Sequence, residues 1–228
     1  MKGRKSPVKA VIFDLDGLLV DSEPVWFKVR TGMFRRFGLV WTDDDQKALM
    51  GRNTRSWIDY VEVKLDGKLS REEIVRETLE GMVRGYRTHE VRIMPGAQDA
   101  LDYSSERYAI GLASGSPLIL IEAALKSNDW TDRFAEVLSS DDVPHGKPAP
   151  DVYLEVMKRL GVSPAESVVV EDSGSGILAG KAAGASVVAV PNVNLMPPKD
   201  ILNAADIVIG SLAALPAAME NLITQVSN

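Results

Sequence analysis

A chain of 228 residues with 26 basic and 32 acidic side chains, a net charge of −6 and 45% hydrophobic residues has material for one large domain, or for a domain with a modest insertion. The lack of cysteine excludes disulfide scaffolds, thiolate nucleophiles, iron–sulfur centres and Cys-ligated zinc sites, and two histidines leave almost no room for His-rich metal chemistry. The acidic surplus repels nucleic acid, and it leaves any hydrolytic or transfer chemistry to carboxylates, hydroxyls, lysines and a bound cation.

In chain order, Lys2, Arg4, Lys5 and Lys9 precede an apolar run too short for a secretory segment, and no later run reaches the length of a membrane span. The expectation is a cytoplasmic monomer with no membrane partner. Residues 8–13 predict a buried strand that runs into the polar turn Asp14-Leu15-Asp16-Gly17. From Leu18 to Glu90 only helical patterns follow. Trp26, Val29, Met33 and Phe37 form a stripe ended by Gly38, and Thr42-Asp43-Asp44-Asp45 reads as a helix N-terminus, where acidic side chains suit the dipole. Ser70-Arg71-Glu72-Glu73 is a capping box ahead of Val75, Leu79, Met82, Val83 and Tyr86.

Beyond Met94-Pro95-Gly96, strands are expected at 108–113, 167–170, 186–190 and, more weakly, 206–209. Helices separate them. Ser116 reads as an N-cap with Pro117 at the first helical position, before Leu118, Ile121 and Leu125. A second helix, over 151–160, places Val152, Val156 and Leu160 on one face and stops at Gly161. The alternation predicts an α/β fold, a doubly wound, Rossmann-like parallel sheet, with residues 1–17 and 91–228 as its core domain and 18–90 as an inserted all-helical cap.

Ligands of such sheets bind beyond the carboxyl ends of the strands. There the first strand delivers Asp14 and Asp16, the second Ser114, Gly115 and Ser116, and the third Glu171 and Asp172. A single strand-end aspartate ordinarily caps the next turn; two acidic pairs on different strands instead call for a divalent cation, and hard oxygen ligands suit Mg²⁺. Lys147 lies in His145-Gly146-Lys147-Pro148-Ala149-Pro150, a stiff loop able to aim one ammonium, although most loop lysines are simply solvated. Gly174-Ser175-Gly176-Ile177-Leu178-Ala179 satisfies a dinucleotide fingerprint, so an NAD-dependent oxidoreductase is the rival. Against it, the next strand ends at Pro191-Asn192 with no acid for a ribose, and Glu171 and Asp172 would flank the pyrophosphate. The glycines are assigned instead to tight turning and helix packing.

Taken in order, Asp14-Leu15-Asp16-Gly17, Ser114 after an apolar strand, Lys147 in Gly-Lys-Pro-Ala-Pro-Asp151, and Glu171-Asp172-Ser-Gly-Ser-Gly176 resemble the motifs of the haloacid dehalogenase-like phosphatases. The resemblance covers essentially the whole chain. The stretch from Asp16 to Trp26 is similar to the subgroup holding beta-phosphoglucomutase and the phosphatases of 2-deoxyglucose 6-phosphate. It implies a phosphatase of small phosphate esters, sugar or polyol phosphates, that works through an aspartyl-phosphate on Asp14 with Asp16 as general acid and base. By the same resemblance Ser114, the Gly115 amide and Lys147 bind the phosphoryl oxygens. Asp14, the Asp16 carbonyl and Asp172 hold Mg²⁺, with Glu171 a ligand directly or through water.

Ser116 has two readings, phosphate contact or helix cap. Arg52 and Arg55 follow Met50-Gly51 where the mutases carry a substrate-reading loop, with Thr54 at the position of their arginine. Trp26, either core or substrate platform, stands where the mutases have a cap histidine, and Leu118 where they have an asparagine, which favours transfer to water over mutase action. A mutase, a nucleoside or FMN-type phosphatase, and a binding module that kept the fold without turnover remain as alternatives. His89 and His145 lack a partner constellation and are read as structural.

Overall fold

The computed structural model describes residues 7–49, 53–192 and 196–227. It begins with β1 (Ala10–Phe13), an entirely buried apolar run, and β2 (Val20–Asp21). Four helices follow: α1 (Glu23–Arg35), α2 (Asp43–Leu49), α3 (Thr54–Leu65) and α4 (Arg71–Arg87). They are closed off by β3 (Arg92–Ile93), which pairs antiparallel with β2. The rest alternates: α5 (Ala97–Ser105), β4 (Ala109–Ser114), α6 (Leu118–Ser127), β5 (Glu136–Ser139), α7 (Asp151–Arg159), β6 (Ser167–Glu171), α8 (Gly174–Ala182), β7 (Ser186–Ala189), α9 (Lys199–Leu202), β8 (Ile207–Val208) and α10 (Leu215–Ser227).

The main sheet is parallel in the order β5-β4-β1-β6-β7-β8. Its central strands are apolar on both faces because helices cover both. Val11, Phe13, Leu112, Val168 and Val170 pack towards α5, α6 and α10, while Ile12, Ala113, Val169 and Val187 pack towards α7 and α8. Each fully buried Val, Ile or Phe side chain contributes about 2 kcal/mol by removal from water. A third cluster, Met33, Phe34, Trp41, Leu49, Trp57, Ile58, Val61, Leu65 and Ile74, gives the inserted helices a core of their own. Among the described residues no helix is long and apolar enough to cross a membrane.

The sequence reading and the structure differ in three places, the first being β2 (Val20–Asp21), a short strand inside the stretch read as helical only. The edge strand β5 was not expected, since Glu136-Val137-Leu138-Ser139 is short and only its last two residues are buried. Helix α6 starts at Leu118 with Pro117 as its cap, so Ser116 is not the N-cap. The predicted stripes do face the core: on α1 Trp26 and Met33 are buried and Val29, like Phe37 just past the helix end, packs partly buried, joined by Val25, Arg30 and Phe34. On α4 Met82 and Tyr86 are buried and Val75, Leu79 and Val83 pack partly buried, joined by Ile74, Thr78, Gly81 and Gly85. The two helices approach closely: a Cβ on Gly81 would lie 2.7 Å from Val29, and one on Gly85 2.6 Å from Val25. Small residues of α4 therefore sit directly against α1.

What the sheet positions is set by register. Phe13 pairs with Leu112 on one side and Val170 on the other, so β1, β4 and β6 deliver Asp14, Ser114 and Glu171 to the same edge. The strands on either side of β1 lead away in opposite directions, which is the switch point where such sheets bind ligands.

Candidate active site

Asp14 follows the last residue of β1, its amide donating to the Val170 carbonyl at 3.1 Å. Lys147, buried beneath it, donates to Asp14 Oδ1 at 2.6 Å, to Glu171 Oε1 at 2.6 Å and to the Ala113 carbonyl at 3.0 Å, which engages all three ammonium protons. Burial alone would lower the Lys147 pKa, but Asp14 and then Glu171 outweigh it and hold the pKa well above the usual lysine value. Asp14 is pushed up to about 8, by burial first, with Lys147 opposing and Glu171 and Asp16 reinforcing the rise. Among the described residues Asp14 Oδ2 accepts no hydrogen bond.

Glu171 is fully buried and its oxygens are engaged: Oε1 accepts from Lys147 and, at 2.7 Å, from the Tyr153 hydroxyl; Oε2 accepts from the Ser173 amide and hydroxyl, both at 3.0 Å. It reaches this position only because residue 176 has no side chain. A Cβ on Gly176 would lie 1.6 Å from Glu171 Oε1. The last glycine of the apparent dinucleotide fingerprint thus makes room for the protein's own carboxylate, a more specific role than turning or helix packing.

Asp172 is 3% exposed, and its Oδ1 has no hydrogen-bond partner among the described residues. Burial, then the charges of Glu171 and Asp14, raise its pKa well above the carboxylate range. Asp14, Glu171 and Asp172 offer oxygens within 4.8 Å of one another, and among the described residues Lys147, paired to Asp14 and Glu171, is the one ammonium bonded to this group. Three carboxylates against one ammonium leave two formal negative charges, and an orphaned buried oxygen among them fits a divalent cation with oxygen ligands. Asp14 and Asp172 have open oxygens for such an ion; Glu171 is the most heavily engaged of the three.

Asp16 is held by hydroxyls from both sides of the cavity. Ser22 at the start of α1 donates to its Oδ1 at 2.6 Å, and Ser114 and Ser116 donate to Oδ2 at 3.1 and 2.7 Å. The Ser114 hydroxyl in turn accepts from the Ser116 amide at 3.0 Å. Released from helix capping, Ser116 faces the cavity beside Gly115.

That cavity measures about 50 Å³. Asp14, Asp16, Gly115, Ser116, Lys147, Asp172 and Ser173 line its sheet side, and Glu23, Trp26, Arg30, Leu49 and Trp57 its helical side. Trp26 is buried and still contributes to the lining, so the two readings of it coexist. Arg55 is exposed on α3 and does not line the cavity, and Arg52 lies outside the described residues. Thr54 ties α3 to the turn after β5 through its amide and hydroxyl, both donating to Asp141. His145 meets Asp151 on the exposed surface at 2.9 Å, and His89 is exposed beyond α4.

Sequence reasoning missed Tyr153, Ser173, Ser22, Glu23, Arg30 and Trp57. For Arg30 a signal existed: it lies four residues after Trp26 and three before Met33, hence on the buried face of α1.

Comparison with known proteins agrees with this geometry. The family model described as haloacid dehalogenase-like hydrolase matches residues 11–190. Hexitol phosphatase B of Escherichia coli (strain K12) is 33% identical over 216 residues, 92% of this chain and 95% of that protein. A phosphorylated carbohydrates phosphatase of Thermotoga maritima is 34% identical over 178 residues, 78% of this chain and 82% of its own length. Among solved structures, CbbY from Rhodobacter sphaeroides in complex with phosphate superposes with a TM-score of 0.82 at 23% identity, covering 93% of this chain and 99% of that one, which shows the shared fold.

Proposed function

The chain belongs to the haloacid dehalogenase-like hydrolases, and from that premise we propose that it is a Mg²⁺-dependent phosphatase of small sugar or polyol phosphates working through an aspartyl-phosphate on Asp14. The observation that carries this reading is the buried Asp14: Lys147 holds its Oδ1, its Oδ2 has no partner among the described residues, and it lines the cavity together with Asp172, whose Oδ1 is orphaned. Asp14 Oδ2 attacks phosphorus, and Asp16, two residues on, protonates the departing alkoxide. Water then attacks the aspartyl-phosphate, Asp16 takes its proton, and inorganic phosphate leaves with Asp14 restored.

Asp14, the Asp16 carbonyl and Asp172 would hold the ion, with Glu171 acting through water since its oxygens are engaged. Bound Mg²⁺ supplies charge neutralisation of the phosphoryl oxygens. Lys147 keeps the nucleophile oriented, and Gly115 and Ser116 present polar groups to the phosphoryl group from the sheet edge. Inserted helices act as the cap.

The names of the relatives, a hexitol phosphatase and a phosphatase of phosphorylated carbohydrates, support the substrate class. Hydrolysis is favoured over mutase action because Trp26 and Leu118 stand where the mutases carry a histidine and an asparagine, and neither side chain here can relay a proton between sugar hydroxyls. The test is release of p-nitrophenol from p-nitrophenyl phosphate with and without Mg²⁺, for the protein and for Asp14→Asn, followed by kcat/KM across hexitol, hexose, nucleoside and FMN esters. Release that depends on both Mg²⁺ and Asp14, with hexitol or hexose esters foremost, is expected. Release independent of either contradicts the reading, and glucose 6-phosphate forming from beta-glucose 1-phosphate faster than free phosphate would make the protein a mutase.

A further inference from the structure

The helical side of the cavity contains polar groups that phosphoryl transfer does not use. Arg30 is 4% exposed, with its guanidinium carbon 4.6 Å from the ring centroid of Trp26, 5.5 Å from that of Trp41 and 5.9 Å from that of Trp57. Its Nη1 donates to Gln46 Oε1 at 3.0 Å, and Gln46 Nε2 donates to Glu23 Oε2 at 2.5 Å. Gln46 thus stands between a cation and an anion that line the same cavity, and no ion pair joins Arg30 to Glu23 among the described residues.

Two donors on this side are left over. Arg30 Nε and Trp57 Nε1 are buried without a hydrogen-bond partner, and both residues line the cavity. Burial brings Arg30 down to about 10, which leaves it cationic at neutral pH, and burial likewise raises Glu23. Burying donors unpaired is unfavourable, and two of them on residues that line the cavity together with Glu23 form a set of partners for a ligand that both accepts and donates hydrogen bonds.

We infer that Arg30, Trp57 and Glu23 form a subsite that reads the hydroxyls of an uncharged carbon chain attached to the phosphate: Arg30 and Trp57 donate to hydroxyl oxygens, and Glu23 accepts a hydroxyl proton. The inference rests on the phosphatase reading above and adds the selection within it. One positive and one negative side chain leave the subsite with no net charge. A second phosphate or a carboxylate on the substrate would gain Arg30 but meet Glu23, so monophosphates with a neutral polyol tail are preferred over bisphosphates and phosphorylated acids.

The experiment measures kcat/KM in saturating Mg²⁺ for a hexitol monophosphate, the matching hexitol bisphosphate and p-nitrophenyl phosphate, which has no hydroxyl tail. Three variants are compared with the protein: Glu23→Gln, which keeps shape and the Gln46 contact; Arg30→Lys, which keeps charge but loses Nε; and Trp57→Phe, which loses only the N–H and part of the ring and guards against misfolding of the others. Each is expected to lower kcat/KM on the hexitol monophosphate about tenfold more than on p-nitrophenyl phosphate. Glu23→Gln is also expected to raise the ratio of bisphosphate to monophosphate turnover. Equal losses on all three esters in every folded variant, or an unchanged ratio in Glu23→Gln, would overturn the inference while leaving the phosphatase standing. No Mg²⁺-dependent turnover of any ester by the unaltered protein would overturn both.

Discussion

On the sheet side of the cavity the buried lining atom without a partner is an acceptor, Asp172 Oδ1, whereas on the helical side the unpartnered atoms are donors, Arg30 Nε and Trp57 Nε1. The neighbourhoods differ in the same sense. Sheet-edge carboxylates outnumber the one ammonium among them, while the helical side sets one guanidinium and one carboxylate amid tryptophan rings. An excess of buried acceptors calls for a cation; a neutral surround with spare donors calls for an oxygen-rich, uncharged group. On the proposed reading, chemistry and recognition are thereby separated across one cavity, and the two sides can be broken one at a time.

The largest effect is expected on the sheet side. Asp14→Asn removes the proposed nucleophile and should lower kcat by about 10³-fold or more while the protein stays folded, as read by phosphate release and thermal unfolding together. Next comes Asp172→Asn, which relieves a buried charge that has an unpartnered oxygen. The metal-free variant should melt higher than the unaltered protein by a few degrees, about 1–2 kcal/mol, and should lose the rise in Tm that Mg²⁺ otherwise produces.

Acidity sharpens the same contrast. The folded-state pKa values of Asp14, at about 8, and of Asp172 and Glu23 lie above their ordinary values. Between the ordinary carboxylate range and pH 8 the native state therefore binds more protons than the unfolded chain, and stability falls as pH rises. Melts in a chelator should show Tm declining from pH 5 to pH 8, with Asp14→Asn flattening the decline; a Tm that climbs over this range would contradict the burial of these acids. The smallest effect is expected from Tyr153→Phe, which removes one of the two donors on Glu171 Oε1 and leaves Lys147 in place. A loss of about 1 kcal/mol in urea unfolding and a fall in kcat of less than about tenfold should follow.

Residues at strand ends were legible in the sequence because β1, β4 and β6 are short apolar runs that stop at polar residues, and parallel topology aligns their ends. Asp14, Asp16, Ser114 and Asp172 needed only that rule and the motif resemblance. The helical insertion was legible through its capping box at Ser70 and the acidic start of α2. Long-range packing hid the rest. Gln46 meets Arg30 and Glu23 only once α2 lies against α1, and Tyr153 reaches Glu171 from a helix whose apolar stripe gives no hint of a polar partner. Ser116 misled because serine before proline is a good helix start in isolation, and the Asp16 carboxylate outcompetes that role. Gly176 belonged to a motif shared with nucleotide-binding turns, and only the position of Glu171 tells the two uses apart.

The central claim, a phosphoryl group carried on Asp14, is tested most directly by quenching the Mg²⁺-loaded protein in acid during turnover of a hexitol phosphate and mapping the adduct by peptide mass spectrometry. The expected result is one phosphoryl group on the peptide containing Asp14, labile to hydroxylamine, absent without Mg²⁺ and absent in Asp14→Asn. Turnover with no such adduct, together with substantial activity remaining in Asp14→Asn, would contradict it.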